Sequence, residues 1–488
     1  MEADPESQST PVHQVGKNLY SGAPSRVDGP LRRTLPIVLA LAAGLVLRLW
    51  MLGKFFQVNG DALIYGGIAK NLLLHGQYAL DGASGTIYPT LIRLPGYPLF
   101  LALCFRIFGM ENYVPVAWVQ IGVELLGCLL LADFASRIVP VNFRSRAALT
   151  TLWIAALCPF TAIYAVQPFS EALSLFALTL ALWSAARFAE RMAWPSALCF
   201  TFAVCLAALL RPDGALVGIA LAPALVLMLR KKIAAWRSSG KRLARMAVVC
   251  LLLALAPFAA WTWRNYKVFQ VFQPLAPRYA TDPGEDIHAG WIRWVKSWCL
   301  DFVSTYDIYW NVPFGPLELD KLPNRAFDSP AQYVETAQLA EDYNSTSQDI
   351  SPELNARFEK LAEERIQAAP LRYYLWLPLG RLADMWLRPR VENLPINLDW
   401  WVYAHHRAET SFSWAYAGLN VLYLLLGCVG LWLRPRLAWG MFAYLVLRSA
   451  LLMTVEAPEA RYTLECFPIL FALGGVAVSC AWCKKVEV

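Results

Sequence analysis

The feature that most limits how this chain can fold is a series of nine apolar stretches, each long enough to cross a hydrocarbon layer of roughly 30 Å. They run from Leu35 to Gly53, Val114 to Phe134, Ala147 to Val166, Glu171 to Ala189, Pro195 to Leu229, Met246 to Trp263, Ser413 to Leu433, Leu437 to Val455 and Tyr462 to Trp482. The fifth is too long for one helix, and Arg211-Pro212-Asp213 interrupts it, so it reads as a hairpin of two spans whose charged turn reaches an interface. The expectation is an all-α polytopic membrane protein with about ten transmembrane helices. Charged residues make up only 16% of the 488, too few to cover several soluble domains. The net charge of +7 is no sign of nucleic-acid binding, because the basic residues sit in short clusters between apolar runs. Most of the eleven cysteines, among them Cys128, Cys158, Cys205, Cys250 and Cys428, lie inside those runs without paired or metal-ligand spacing and act as small hydrophobes.

The basic clusters test the count of spans. Arg137, Arg144 and Arg146, then Arg187 and Arg191, then the run from Arg230 to Arg245, then Arg434 and Arg436, and finally Lys484 and Lys485 share one face if there are ten helices. The positive-inside rule makes that face, with both termini, cytoplasmic. Residues 1–33 are rich in Pro, Ser, Gly and charge and read as a disordered cytoplasmic tail, with no apolar core of a cleaved signal. Residues 34–263 form a transmembrane module that includes a helical first outer loop, 54–113. Residues 264–412 form a larger outer cap, and 413–488 the C-terminal transmembrane helices. In the cap, Ser329-Pro330 and Ser351-Pro352 place a capping hydroxyl before a first-turn proline, and Leu354, Phe358, Leu361 and Ile366 follow at helical spacing. Leu371 to Leu387 is apolar but carries Arg372, Arg381 and Asp384 among its aromatics, which suits a helix lying in the interface.

Charges beside apolar spans are where chemistry is expected, since burying them in lipid is costly. Asp61 leads, in Asn59-Gly60-Asp61-Ala62-Leu63-Ile64-Tyr65, with Tyr65 one turn along the same face. An aspartate after glycine is equally ordinary as a helix N-cap. Arg93, Arg264 and Arg461 could hold an anion through the guanidinium fork, or could snorkel to headgroups. Glu459 is then a simple ion-pair partner for Arg461, and Glu171 a helix cap or part of an acceptor site. Asn344-Ser345-Thr346 is a glycosylation sequon.

Asp61, Tyr65, Ala69, Asn71-Leu72-Leu73, Gly76 and Tyr78, followed by Arg93-Leu94-Pro95-Gly96-Tyr97-Pro98-Leu99 and Phe108-Gly109, form a longer pattern. It resembles the first outer loop of the C-type glycosyltransferase superfamily, particularly the protein O-mannosyltransferase and lipid A aminoarabinose transferase branch. Ser170-Glu171, Leu210-Arg211-Pro212, Trp263-Arg264-Asn265, and Pro458 with Arg461-Tyr462 and Pro468 continue it in order; it does not extend to Pro274–Ala369. The resemblance implies a membrane glycosyltransferase that uses a polyprenyl-phosphate-linked sugar donor and an acceptor hydroxyl on a glycan, lipid or protein. It implies that Asp61 is the catalytic base, that Arg93, Arg264 and Arg461 hold the donor phosphate, and that Tyr65, Tyr97, Glu171 and Tyr462 line the substrate site. The membrane it implies is a bacterial inner membrane.

Diphosphate-donor relatives tend to carry paired acids for a divalent metal, but Ala62 follows Asp61, so a monophosphate donor, no catalytic metal and no cofactor are expected. Glu318-x-Asp320 and the adjacent His405 and His406 are read as solvated polar groups. A secondary transporter, or a lipid-glycan-binding protein of the same fold, are the rival readings. A transporter should carry broken polar helices at midplane in two related halves, whereas the conspicuous charges here flank the outer ends of spans.

Overall fold

A computed structural model describes residues 30–82, 85–235, 239–346 and 348–484, so the expected tail, 1–33, lies almost wholly outside the described residues. The chain runs through α1 (Pro30–Phe55), α2 (Asp61–His75), an antiparallel hairpin of β1 (Ala79–Asp81) and β2 (Ile87–Pro89), and α3 (Gly96–Phe108). It continues through α4 (Tyr113–Ile138), α5 (Arg144–Ala156), α6 (Pro159–Val166), α7 (Glu171–Arg191), α8 (Trp194–Leu210), α9 (Leu216–Ala235) and α10 (Ser239–Phe269). A cap follows with α11 (Ala289–Lys296), the single turn α12 (Phe302–Ser304), α13 (Pro330–Ser345), α14 (Pro352–Ala368) and α15 (Leu377–Leu387). The chain then re-enters the bundle as α16 (Arg407–Trp432), α17 (Ala438–Leu452), a 3-10 turn over Ala460–Cys466 and α18 (Phe467–Lys484).

Every expected span has a helix. Seven are long and apolar enough to cross a membrane, while α8 and α17, with 17 and 15 residues, are shorter apolar helices. The span expected over Ala147–Val166 is not one rod but α5 and α6, bent by 56°. Pro159 is the reason: its ring disfavours helical backbone at Cys158, which is extended, and its missing N–H is harmless only at the start of a new helix. Arg436 N donates to Ile138 O at 3.0 Å, joining the end of α4 to the α16–α17 turn, and Arg137 near that end of α4 pairs with Glu190 near the end of α7 at 2.6 Å.

Small residues set the helix spacing. A Cβ on Gly430 of α16 would come within 2.0 Å of Leu473 O on α18, so these helices meet backbone to backbone. At the edge, α10 turns almost all its apolar surface outward, including Leu251, Leu252 and Leu255, as a lipid-facing helix does. Inside the bundle, fully buried Arg48 of α1 pairs with Glu124 of α4 and donates to Gly44 O (2.8 Å) and Ala156 O (2.7 Å). Thr161 Oγ1 completes the pair by donating to Glu124 Oε1 at 3.1 Å.

The cap has a core of its own, built on Trp291, Trp294, Trp298, Phe358 and Leu361. Ser329 and Ser351 cap α13 and α14 as their sequence indicates, accepting from Gln332 N and Leu354 N, each at 3.2 Å. Asn344 of the sequon spends its amide internally, accepting from Leu317 N at 2.9 Å and donating to Leu317 O at 3.1 Å. Leu371, Tyr374, Trp376 and Leu387 stand exposed along the turn that leads into α15 and on α15 itself, an aromatic-apolar surface of the interfacial kind.

Removing one partner of the Arg48–Glu124 pair leaves a lone charge among apolar helices, so Glu124→Leu should destabilise the fold by about 3–5 kcal/mol. The double change Arg48→Leu/Glu124→Leu should recover most of that loss. Thermal unfolding of the three proteins in detergent measures both effects, and a single variant as stable as the parent contradicts the assignment.

Candidate active site

The chain leaves α1 and turns into α2 through Gly60, at φ +49, a left-handed conformation that glycine adopts without strain. Gly60 is the N-cap of α2, which makes Asp61 its first helical residue and leaves the carboxylate outside the N-cap position. Its two oxygens reach two arginines instead. Arg93 Nη2, from the segment before α3, lies 2.7 Å from Oδ1, and Arg461 Nη2, from the turn before α18, lies 3.1 Å from Oδ2. Burial alone would raise the Asp61 pKa, but Arg461 and Arg93 outweigh it and bring the group down to about 2.

Two tyrosines on this side fix the first loop. Tyr65, one turn from Asp61, packs edge-on against Tyr97 at 4.9 Å, and the Arg93 guanidinium lies 5.8 Å over the Tyr65 ring. Tyr97 is fully buried and donates to Gln120 Oε1 at 2.7 Å, while Gln120 Nε2 donates to Gln167 O at 2.7 Å. The first loop is thereby rooted in α4 and in the bend between α6 and α7. Tyr97 thus acts at the base of the loop, and Tyr65 beside the charges.

From Arg461 the charges continue as a ladder across the end of the bundle. Arg461 Nε pairs with Glu459, and its Nη1 lies 3.8 Å from Glu171 Oε1. Glu171 Oε1 lies 3.2 Å from Arg211 Nη1, and Arg211 Nε lies 3.0 Å from Glu465 Oε1 and 3.7 Å from Asp213 Oδ1. Arg448 of α17 closes the ladder, pairing with Asp213 and, at 2.7 Å, with Glu465 Oε2. The Tyr462 ring lies under both Arg211 and Arg461, at 5.9 Å from each, and its carbonyl accepts from Arg448 at 2.8 Å. Asp61, Arg93, Glu171, Arg461 and Tyr462, all singled out in the sequence, thus come together.

Arg264 stands beside this ladder and not in it. From the end of α10 it donates to Tyr78 O at 2.6 Å and Thr90 O at 2.7 Å, over the rings of Tyr78 and Trp261. Tyr78 in turn donates its hydroxyl to Arg93 O at 3.0 Å, so one tyrosine joins the two arginine-bearing segments. Among the described residues no carboxylate lies within ion-pair distance of Arg264, and Asp282 acts on it only through space. Among those same residues no group of three or more His, Cys, Asp or Glu is arranged to hold a metal ion.

Asp213, Arg448 and Glu465 escaped the sequence reading. A signal existed: each is a charge inside an otherwise apolar stretch, and opposite signs in different spans are what a buried pair requires.

The fold of the chain is shared with an oligosaccharyltransferase of known structure, and part of its sequence matches a mannosyltransferase family. Residues 92–261, from the approach to α3 into α10, match the family model for dolichyl-phosphate-mannose-protein mannosyltransferase. The crystal structure of the Archaeoglobus fulgidus oligosaccharyltransferase, tethered to an acceptor peptide with an NVT sequon, superposes with a TM-score of 0.52 at 12% identity over 93% of this chain. The chain spans 50% of that protein's length. ArnT from Cupriavidus metallidurans, bound to undecaprenyl phosphate, matches with a TM-score of 0.39 at 16% identity, over 91% of this chain and 77% of its own. No curated protein sequence matches the chain.

Because both guanidinium groups favour the ionised form, the stabilisation that Asp61 contributes is fully present above the ordinary carboxylate range and is lost as the pH falls through about 2. The unfolding temperatures of the parent and Asp61→Asn in detergent should therefore differ by a constant amount above about pH 5 and converge toward pH 2. A gap that closes already near neutral pH would mean that Asp61 is not ionised between its two arginines.

Proposed function

We propose that the protein transfers a sugar from a polyprenyl-phosphate-linked donor to an acceptor hydroxyl, with inversion at the anomeric carbon. The observation that carries the reading is Asp61 held between Arg93 and Arg461, with Arg264, which has no ion-pair partner among the described residues, one tyrosine away. The match to a family named for a dolichyl-phosphate-mannose donor supports a lipid monophosphate as the leaving group. The site faces the extracytoplasmic side of a bacterial inner membrane, and both termini are cytoplasmic, in keeping with the basic clusters between the apolar runs.

Each residue has a separate task. The donor phosphate, one negative charge, enters between Arg93 and Arg264, whose forked donors suit two phosphate oxygens. In taking Arg93 it draws that guanidinium away from Asp61 Oδ1. Glu459 and Glu171 keep Arg461 in place, so Asp61 stays oriented through Oδ2 while losing one of the two charges that hold its pKa near 2. The carboxylate becomes a stronger base when the donor is bound. It accepts the proton of the acceptor hydroxyl as that oxygen bonds to the anomeric carbon, and the carbon–oxygen bond to phosphate breaks on the far face, its electron pair leaving with polyprenyl phosphate. Tyr65 and Tyr462 flank the sugar, and the lipid tail stays in the bilayer, held at about 0.8 kcal/mol for each buried methylene.

The test is transfer by purified full-length protein from labelled polyprenyl-phosphate sugars. Asp61→Asn should lower transfer at least about 100-fold. It should bind the donor as well as the parent or better, because a carboxylate competing for Arg93 has gone. Arg93→Ala and Arg264→Ala should weaken donor capture. Unchanged turnover in Asp61→Asn removes the base, and normal donor affinity in both arginine variants removes the phosphate site.

A further inference from the structure

The ladder around Asp61 holds five carboxylates against four arginines. A second cluster, in the cap, has the opposite balance. Arg278, which precedes α11, and Lys296, in its last turn, converge on the segment between α17 and the 3-10 turn. Arg278 Nη2 donates to Glu456 Oε1 at 2.5 Å and to Thr454 O at 2.9 Å. Lys296 Nζ donates to Thr454 O at 2.8 Å and lies 3.6 Å from the same Glu456 oxygen.

Arg381 of α15 is the third cation. It is fully buried and donates Nη1 to Lys296 O (3.1 Å) and Cys299 O (3.0 Å), but its Nε and Nη2 have no hydrogen-bond partner among the described residues. No carboxylate lies within ion-pair distance of it among those residues either; Glu456 acts on it only through space. Three cations thus share one carboxylate. A buried guanidinium with two idle donors is expensive, and an anion beside it would satisfy both the charge and the donors. Burial pushes the Lys296 ammonium down from its ordinary value, Glu456 opposes this, and Arg278 and Arg381 add to the lowering, as expected where positive charge is in excess.

The position links this cluster to the transfer site. Glu456 is three residues from Glu459, the partner of Arg461, and Thr305 Oγ1 pins the intervening Pro458 O at 3.0 Å. An anionic group held by the cap would therefore place the molecule carrying it over the Arg461 side of the ladder, away from Arg93 and Arg264.

We propose that Arg278, Lys296 and Arg381 form an anion subsite in the cap that takes a phosphate or carboxylate group of the acceptor. Only the word acceptor rests on the sugar-transfer reading; anion binding stands apart from it and is measured without any transfer. The full-length protein in detergent is titrated with inorganic phosphate, followed by calorimetry. The surface double variant Arg278→Gln/Lys296→Gln should weaken phosphate binding at least about tenfold, since each contact is a charge-assisted hydrogen bond. Arg93→Ala/Arg264→Ala should leave that binding event in place. Arg381→Met should also lose it, and if that variant fails to fold, the surface pair carries the test alone.

Competition then identifies the source of the anion. Displacement of phosphate by short-chain phosphatidate in mixed micelles assigns a lipid-borne group, and displacement by free glucuronate assigns an acidic glycan. Phosphate binding lost in the Arg93/Arg264 variant and kept in the cap variant would overturn the proposal by putting the ion at the donor site. Absence of phosphate binding in the parent would overturn it too, reducing the cluster to a staple between cap and bundle. Neither outcome touches the loss of transfer expected for Asp61→Asn.

Discussion

Charge buried at the end of a membrane bundle has to be compensated by charge, and the ladder from Arg93 to Arg448 is how this chain meets that condition. Its members come from α2, the approach to α3, the start of α7, the α8–α9 turn, α17 and the turn before α18. Only the α8–α9 turn, with Arg211 and Asp213, brings a neutral set of its own, and the two lie 3.7 Å apart at their nearest charged atoms. Only when all are assembled do Arg461, Arg211 and Arg448 each face two or more carboxylates, and Arg93 faces Asp61, so the same ion pairs that build the site also hold these segments together. Arg461 illustrates the coupling: it reaches Asp61, Glu459 and Glu171 at once, and through Glu171 it shares a carboxylate oxygen with Arg211.

The first loop and the cap are fastened to this frame by polar contacts that differ in kind from the packing below. Arg264 clamps Tyr78 O and Thr90 O at the two edges of the β-hairpin, and Asp282 Oδ1, from the segment leading to the cap, accepts from Leu91 N at 2.7 Å. Hydrogen bonds of this type contribute on the order of 1 kcal/mol each and can be exchanged for a ligand's, whereas the backbone-close contact of α16 and α18 cannot open without separating helices. The first loop and cap are thus fastened by polar contacts to a bundle whose helices are held by close packing.

How far the sequence carries the argument differs from element to element. The spans were legible because apolar length is dictated by the bilayer, and the caps of α13 and α14 because Ser-Pro is a local signal that needs no tertiary partner. The break at Pro159 was also written locally but was hidden inside an uninterrupted apolar run. Asp61 is the instructive case. Sequence left it between N-cap and base, since both put an acid after glycine; the structure gives the N-cap position to Gly60 and sets the Asp61 carboxylate against Arg93, 32 residues on. Glu465 and Arg448 could not be paired from sequence at all, because their meeting depends on how α17 packs against the turn before α18. Arg264 was read as a member of the charged group, and the structure gives it carbonyl partners instead, a distinction that residue type cannot make.

The placement of Arg264 bears on how the proposed transfer stays affordable in a buried site. Arg264 adds a fifth guanidinium beside the ladder's five carboxylates, with Asp282 acting on it through space, and the donor diester adds one negative charge. Transfer converts the diester to a monoester that carries up to two. If the proton of the acceptor hydroxyl escaped to water, the site would be left with that second charge unmatched, at a cost that rises steeply as the dielectric falls. A proton kept on Asp61 cancels it, so the buried charge is the same before and after the chemical step. The base in this arrangement has to lie within the same ion-pair group as the leaving phosphate, and Asp61, one guanidinium away from it, is the carboxylate that does.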